Sequence, residues 1–456
     1  MNRHFDSIVI GAGQAGPPMV GRLAAAGEKV ALIERDLIGG TCVNVGCTPT
    51  KTLVASAYAA HLARRAIEFG VKVGPVSVDF AAVMGRKNAV VGNSRSRLTA
   101  WLEGMANCTI IRGHARFLSP TTVAVGEDVL EAERIFINVG GRAVIPDFPG
   151  RDQVKTLTST TLLELDALPR RLVVVGGSYV GLEFAQVFRR LGAEVTVVEK
   201  APRLVSREDA EVSDAIREIL EAEGIEVRLE SECIRFEPRG AEIAVGVNCA
   251  TGEPEVLGSH VLLAVGRRPN TDDLGLEAAG VAVDAQGYIV VDESLKTNVP
   301  NIWALGDCNG RGAFTHTSYN DFEVAAANLL DGAARRVSER IPVYALYVDP
   351  PLGRVGLSEA EARAEGRAVR IGRRAMTRVG RAVEKGETKG FMKVVVDRDT
   401  DAILGAAILG VGGDEAVHGV IEAMAAGVTA SAYTRVVAIH PTVSELVPTI
   451  FGELSP

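Results

Sequence analysis

The chain writes one supersecondary pattern twice. Ser7 to Ile10 reads as a short buried strand, followed by Gly11-Ala12-Gly13-Gln14-Ala15-Gly16, a helical stretch to about Ala26, and a second strand from Lys29 to Ile33 that ends in Glu34. The order recurs with strand Arg171 to Val175, the turn Gly176-Gly177-Ser178-Tyr179-Val180-Gly181, a helix to about Leu191, and strand Glu194 to Val198 ending in Glu199. Gly11 to Glu34 and Gly176 to Glu199 both span 23 positions. Strand, glycine turn, helix, strand and acid form a dinucleotide-binding unit. Its glycines let the backbone approach a pyrophosphate, its helix N-terminus offers free N–H groups to that charge, and its acid accepts ribose hydroxyls. A single match is a weak signal. Two with the same acid spacing constrain the fold to α/β with two Rossmann-like units. Ser178 stands where the second turn's middle glycine belongs, which alters the phosphate approach without abolishing it. Pro17 and Pro18 fall in the first helical turn, where a missing N–H is tolerated.

Behind the first unit, Gly39 to Lys51 reads Gly-Gly-Thr-Cys-Val-Asn-Val-Gly-Cys-Thr-Pro-Thr-Lys. Five residues of regular helix rise by about 7.5 Å, whereas a disulfide needs Cα atoms about 4.4–6.8 Å apart. Cys42 and Cys47 can bridge only across a bend, and Gly46 permits one. Strained, accessible disulfides are those that exchange electrons. A structural disulfide or half a metal site are the alternatives for the pair alone. Cys108, Cys233, Cys249 and Cys308 are scattered and read as ordinary buried thiols, with no second pair at zinc-ligand spacing, so no metal is expected. Two dinucleotide sites and a redox pair make an electron relay through two cofactors the economical reading.

Composition sets the outer bounds. A length of 456 residues accommodates about three domains. No apolar run reaches the length of about 18 that a membrane span needs. The first residues run straight into a strand, leaving no room for a signal peptide. Few cysteines suit a reducing cytoplasm. The net charge of −8 makes nucleic acid an improbable partner. One stretch is basic, with Arg363, Arg367, Arg370, Arg373, Arg374, Arg378 and Arg381 in close succession. It reads either as a solvated face or as a cradle for an anionic partner.

The whole chain resembles the class I pyridine nucleotide–disulfide oxidoreductases, the family of dihydrolipoamide dehydrogenase, glutathione reductase and mercuric reductase. Gly39 to Lys51 looks like that family's redox-active segment. Thr297 to Asp307 looks like its second flavin motif, Val265 to Asn270 like its return from the nicotinamide domain to the flavin domain, and Ile439 to Glu445, Ile-His-Pro-Thr-Val-Ser-Glu, like its C-terminal acid–base motif. The resemblance implies a discontinuous FAD domain over 1–148 and 271–337, an NAD(P) domain over 149–270, and a C-terminal α+β dimerisation domain over 338–456. Arg340-Ile341-Pro342 follows an Ala-rich helix and precedes new strand patterns, as a boundary should.

The resemblance also assigns roles. FAD falls to Gly11, Gly13, Gly16, Glu34, Gly40, Thr41, Lys51, Asp307 and His316. NADH or NADPH falls to Gly176, Gly181, Glu199 and Gly266. Electrons pass from the nicotinamide through FAD to the Cys42–Cys47 disulfide, with Cys47 as the charge-transfer thiolate and Cys42 as the interchange thiol. The attacking thiolate calls for a pKa below the free value of about 8.5. His440, oriented by Glu445, is the acid–base group, supplied to the other subunit of a homodimer. Lys51 pairs with Glu183 beside the flavin. Tyr179 lies one helical turn before Glu183 and matches the tyrosine that gates the nicotinamide pocket in glutathione and mercuric reductases. Glu199 tilts the choice slightly to NADH, although Lys200, Arg203 and Arg207 follow it.

The substrate expected is a small disulfide, or its dithiol in the reverse direction. Glutathione reductase's substrate-binding arginine falls at Gly21, and no cysteine follows Cys308 to supply the vicinal pair with which mercuric reductase catches its metal. A mercuric-reductase-like metal or quinone reductase and a flavoprotein subunit of a larger assembly are the alternatives.

Overall fold

A computed structural model describes residues 2–248 and 254–455. The chain divides into two compact units. The first holds the residues up to Thr52, Met84–Val144 and Gly266–Arg340, and the second holds Leu53–Val83, Ile145–Val265 and the residues from Ile341 onward.

The first unit is built on β1 (Asn2–Ile10), α1 (Gly16–Ala25), β2 (Val30–Glu34), α2 (Gly40–Val45), the opening of α3 (Cys47–Arg65), most of α4 (Phe80–Glu103), β3 (Cys108–Arg112), β4 (Ala115–Ser119), β5 (Thr122–Val125) and β6 (Asp128–Ile137). The sheet runs β3-β2-β1-β6-β5-β4, with strand Ile302–Ala304 also on β6. β1 pairs in parallel with β2, Val9 opposite Leu32, and with β6, Ile8 opposite Ile135. A parallel strand covered on both faces must be apolar throughout, and every residue of β2 is buried. Phe136 stacks on Trp303 at 4.9 Å inside this core.

The second unit contains a parallel sheet in the order Glu226–Arg228, Glu194–Val198, Arg171–Val175, His260–Leu263 and Thr156–Leu157. An antiparallel meander follows (Glu232–Arg239, Glu242–Asn248 and Glu255–Gly258). A five-stranded antiparallel sheet, ordered Val343–Leu346, Leu352–Gly356, Ile403–Leu409, Phe391–Asp397 and Val369–Ala375, forms the C-terminal part. Both Phe391–Asp397 and Ile403–Leu409 are buried throughout, as central strands of a covered sheet. No helix among the described residues is long and apolar enough to cross a membrane. The side chain of Cys233 and the whole of Cys249 lie outside what is described.

Candidate active site

The two glycine turns fold alike, each within its own unit. Gly11 has φ +102°, and a Cβ built there stands 2.2 Å from the Asn138 carbonyl oxygen; Gly176 has φ +117°, and its Cβ would stand 2.4 Å from that of Ala264. Only glycine meets both demands. Each acid then braces its own turn. Glu34 accepts from the Ala12 N–H at 2.7 Å and the Asp36 N–H at 2.8 Å. Glu199 accepts from the Gly177 N–H at 2.5 Å and the Ala201 N–H at 2.7 Å. Gly16 and Gly181 pack onto the carbonyls of Gly11 and Gly176, where a Cβ would approach to 2.2 and 2.1 Å. The turns therefore keep their backbone bare toward the helix N-terminus, which is the shape and polarity a dinucleotide pyrophosphate requires.

The cysteine pair sits at the expected break. α2 ends before Gly46, whose φ of −130° and ψ of −118° stop the helix, and α3 starts at Cys47. A Cβ on Gly46 would stand 2.8 Å from the Thr41 oxygen and 3.1 Å from Cys42 Cα, so the bend folds the chain back onto the first cysteine. The two side chains are hydrogen-bonded to each other, with Cys47 exposed and Cys42 half-buried. Cys47 Sγ also lies 3.3 Å from Thr315 Oγ1. The Cys42 pKa is raised well above that of a free thiol. The hydrogen bond to Cys47 contributes most, followed by burial and then by the negative charge on Cys47. This corrects one expectation, a depressed pKa at the attacking thiol. In the reduced pair Cys42 is the protonated partner and needs a base before it can attack. Lys51 lies four residues past Cys47, half-buried on α3.

The segment is secured from both sides. Gln14 donates to the Gly39 carbonyl at 3.3 Å, and Asn44 donates to the Ile38 and Gly40 carbonyls, each at 3.0 Å. A Cβ on Gly40 would come within 2.7 Å of Gly13 Cα, so the redox segment packs directly on the first turn. Asp307 lies in a short 3-10 turn, Gly306–Asn309. Burial raises its pKa, opposed by Arg267 at 3.7 Å. Gly266 has φ +131° just before that arginine. The neighbouring Gly306 N–H donates to the buried Asp321 carboxylate at 2.8 Å. His316 sits at the start of helix Thr315–Leu330 and stacks on Phe314 at 5.3 Å. Beside this site α1, α4 and that helix enclose a cavity of about 750 Å³ lined by Pro17, Pro18, Gly21, Leu98, Trp101 and Tyr319. Arg22 also lines it but is already held by Asp331 at 2.7 and 2.9 Å.

In the second unit, helix Tyr179–Leu191 carries Tyr179 and the buried Glu183 on one face. Glu183 accepts from the Tyr347 N–H at 3.0 Å. Tyr179 meets Tyr344 edge to face at 5.6 Å and donates to Glu208 at 3.4 Å. Ser178, at the helix N-cap, is exposed and closes no side-chain hydrogen bond to the helix amides. Farther along the chain, His440 Nδ1 lies 2.9 Å from Glu445, with the imidazole 82% exposed and the carboxylate 13% exposed. Around it Val436, Val437 and Ile439 are 50%, 96% and 79% exposed.

Three partners escaped the sequence reading: Thr315 against Cys47, and Tyr344 and Glu208 against Tyr179. The basic stretch is resolved as well. Arg363, Arg367, Arg370, Arg373, Arg374 and Arg381 each pair with an acid, namely Glu359, Glu365, Asp401, Glu211, Glu453 and Glu384. Six of the seven arginines thus face acids, which is the arrangement of a solvated face. Among the described residues no cluster of metal-ligating side chains occurs.

Comparison with known proteins follows the same lines. Residues 5–325 match the family model described as pyridine nucleotide-disulphide oxidoreductase, and residues 343–450 match that family's dimerisation domain. The chain is 35% identical over 460 residues to the probable pyridine nucleotide-disulfide oxidoreductase RclA of Escherichia coli, covering 99% of each. It is 35% identical to a mercuric reductase of Streptomyces lividans, covering 94% of this chain and 92% of the relative. A dihydrolipoyl dehydrogenase of Thermus scotoductus is 34% identical, with 97% and 95% covered. The solved copper(II) complex of the HOCl-induced flavoprotein disulfide reductase RclA from Escherichia coli superposes with a TM-score of 0.88 at 34% identity, covering 98% of this chain and 99% of that one. The chain belongs to the class I pyridine nucleotide-disulphide oxidoreductases, flavin-dependent enzymes that exchange electrons between a pyridine nucleotide and a sulfur group.

Proposed function

We propose that this enzyme reduces a small disulfide in the cytoplasm, taking electrons from NADH in preference to NADPH and delivering them through Cys42 and Cys47. The observation that carries the reading is the cysteine pair itself, Cys42 and Cys47 on either side of the Gly46 break, where a Cβ on Gly46 would stand 3.1 Å from Cys42 Cα. Bound FAD supplies the two-electron link between nicotinamide and disulfide. Gly11, Gly13, Gly16, Glu34, Gly40, Thr41, Lys51, Asp307 and His316 would hold it. Gly176, Gly181, Glu199 and Gly266 would hold the nicotinamide nucleotide, with Tyr179 as the gate of its pocket. The family resemblance pairs Lys51 with Glu183 beside the flavin. The bare first turn and its braced Glu34 support that assignment.

The chemistry of this chain's own residues balances as follows. Two electrons and one proton, together the nicotinamide's hydride, open the Cys42–Cys47 bond, leaving a thiolate on Cys47 and a thiol on Cys42. His440 of a second copy, oriented by Glu445, takes that proton. The Cys42 sulfur attacks the substrate disulfide, forming a mixed disulfide, and the expelled thiolate takes the proton back from the imidazolium. Cys47 then attacks Cys42 and releases the second product as a thiolate. The exposed His440 and the apolar Val437 and Ile439 beside it support a site completed by that second copy.

The cavity at Trp101 and Tyr319 favours a disulfide with apolar flanks over one bearing several carboxylates, because its arginine is already paired. A Cβ at Gly21 would stand 3.2 Å from the Trp101 ring, so the aromatic wall occupies the space an arginine side chain would need. Turnover of NADH against a panel of low-molecular-weight disulfides tests this. Activity confined to polyanionic disulfides would sink the substrate class, and the NADH-to-NADPH rate ratio tests the role of Glu199. Anaerobic reduction by one equivalent of NADH followed by alkylation should label Cys42 and Cys47 together. Labelling of neither would remove the pair from the relay. A second reading, metal-ion reduction at the same thiols, draws on the copper(II) complex of the Escherichia coli relative. Fast turnover with Cu(II) or Hg(II) and none with any disulfide would select it.

A further inference from the structure

Tyr179, Tyr344, Glu208 and Arg354 form one buried polar cluster in the second unit. Both phenol hydroxyls donate to the same carboxylate oxygen, Glu208 Oε1, from 2.7 Å for Tyr344 and 3.4 Å for Tyr179. The other oxygen, Oε2, lies 3.5 Å from Arg354 Nε and accepts no hydrogen bond. Glu208 is 8% exposed and Arg354 2%. A carboxylate buried this deeply is costly unless it is paired, and here Oε1 takes both phenols while Oε2 faces the Arg354 charge. Its backbone is equally constrained. The Glu208 N–H donates to the Val205 carbonyl at 2.9 Å, and the Val205 N–H donates to Gly177 O, also at 2.9 Å. Val205 holds φ at +40°, which a β-branched residue adopts only when its surroundings impose it. The glycine turn thus positions the loop, and the loop positions Glu208 under Tyr179.

We propose that Glu208 is a positioning residue that latches Tyr179 in the closed position, with the Tyr344 ring as the surface against which the gate rests. The proposal builds on the reading of Tyr179 as the gate of the nicotinamide pocket. The two bonds to Oε1 are unequal, and the asymmetry matters. Tyr344, at 2.7 Å, is the more tightly held of the two on Glu208, and Tyr179, at 3.4 Å, the more loosely held. Burial raises the pKa values of both phenols, that of Tyr344 to about 12, so both stay protonated donors through the neutral range. A ligand that needs the gate open binds more weakly in proportion to how seldom it is open.

The test uses the flavin-loaded protein and two readouts, calorimetric Kd for NAD+, which involves no turnover, and KM for NADH. Tyr179→Phe keeps the ring contact and deletes the hydroxyl's bonds to Glu208 and to Tyr344. Glu208→Gln keeps an acceptor but weakens it. Each should tighten NAD+ and lower KM for NADH about fivefold, the worth of one ordinary hydrogen bond, and the two effects should not add in the double variant. With Glu208→Gln the change should fall on KM rather than kcat. If Glu208→Gln fails to fold because Arg354 loses its partner, Tyr179→Phe alone decides. Unchanged Kd and KM in Tyr179→Phe, with a clear shift in Tyr179→Ala, would overturn the latch and leave the gate standing. No shift in either would overturn the gate itself.

Discussion

The two glycine turns share a frame and differ in what leaves it. In both, an acid at the end of the second strand accepts from one backbone N–H of its glycine turn and from the N–H two residues past itself, and the first glycine is pressed against a carbonyl that no side chain could face. Beyond the acid they part. The first turn is covered by Gly40, 2.7 Å from Gly13 for a Cβ placed there, and the chain runs on into the cysteines. The second turn has exposed Ser178 in the middle position and continues through exposed Lys200, Arg203 and Arg207 to Glu208. The frame sets where a pyrophosphate sits, and the exits decide its residence. A turn roofed by its own chain suits a resident cofactor, whereas an open turn ending in a latch suits one that exchanges every cycle.

The sharpest way to break this comparison is to damage each frame identically. Gly11→Ala and Gly176→Ala both force a Cβ into a carbonyl at a positive φ, at a cost of about 3 kcal/mol or more to the local structure. Gly11→Ala should yield protein without flavin and without activity of any kind. Gly176→Ala should keep its flavin absorbance and lose at least about a hundredfold in the rate of reduction by NADH. Equal flavin loss in the two variants would show that the turns are not specialised.

A smaller effect separates the first turn from its exit. Cys42→Ser should leave reduction by NADH intact and cut disulfide turnover by about a thousandfold or more, since Cys42 is the thiol assigned to form the mixed disulfide. If turnover survives, electrons leave the flavin without the pair.

The acid–base group comes next, at about a hundredfold in His440→Asn at neutral pH. The sign of its pH dependence follows from Cys42. Its pKa in the reduced fold is raised, so below that value the thiolate fraction climbs about tenfold per pH unit. Without the imidazole, disulfide turnover should therefore rise steeply from pH 7 to 9, while the parent enzyme, with its base present, stays flatter. The same raised pKa gives a stability effect in the reduced protein. Its contribution is full below the unfolded thiol pKa of about 8.5 and is lost as the pH rises above it. A parallel pH profile in parent and variant would remove His440 from the proton path.

The sequence disclosed the turns and the redox break because both are local. A glycine needed for φ, an acid 23 positions on and a helix interrupted at Gly46 all act within a few residues, and strands Arg171–Val175 and Glu194–Val198 fall where the pattern puts them. What stayed hidden is non-local. Thr315 reaches Cys47 from 268 positions away and Tyr344 reaches Glu208 from 136, and neither pairing has a period or spacing to betray it. The arginine stretch kept two readings open for the same reason. Arg374 is neutralised by Glu453 and Arg370 by Asp401, acids that lie next to them only after the C-terminal sheet has formed. The raised pKa of Cys42 was hidden too, because it comes first from the hydrogen bond to Cys47 and then from burial, and spacing alone encodes neither.

The smallest perturbation asks whether the middle position of the second turn is a flaw or a fitting. Ser178 sits at the N-cap of helix Tyr179–Leu191 in extended backbone, φ −115° and ψ −173°, without using its hydroxyl to cap the helix. Ser178→Gly should therefore cost the helix only a few tenths of a kcal/mol. If the hydroxyl instead donates to the nicotinamide nucleotide's phosphates, its removal should raise KM for NADH about three- to fivefold with Tm essentially unchanged. The reciprocal Gly13→Ser places a side chain under the Gly40 roof, 3.4 Å from the Asn138 amide, and should reduce flavin retention. If Ser178→Gly leaves KM unmoved while Gly13→Ser sheds flavin, the serine marks only tolerance in an open turn. If KM rises, the second turn has exchanged a glycine for a donor that a freely exchanging cofactor needs.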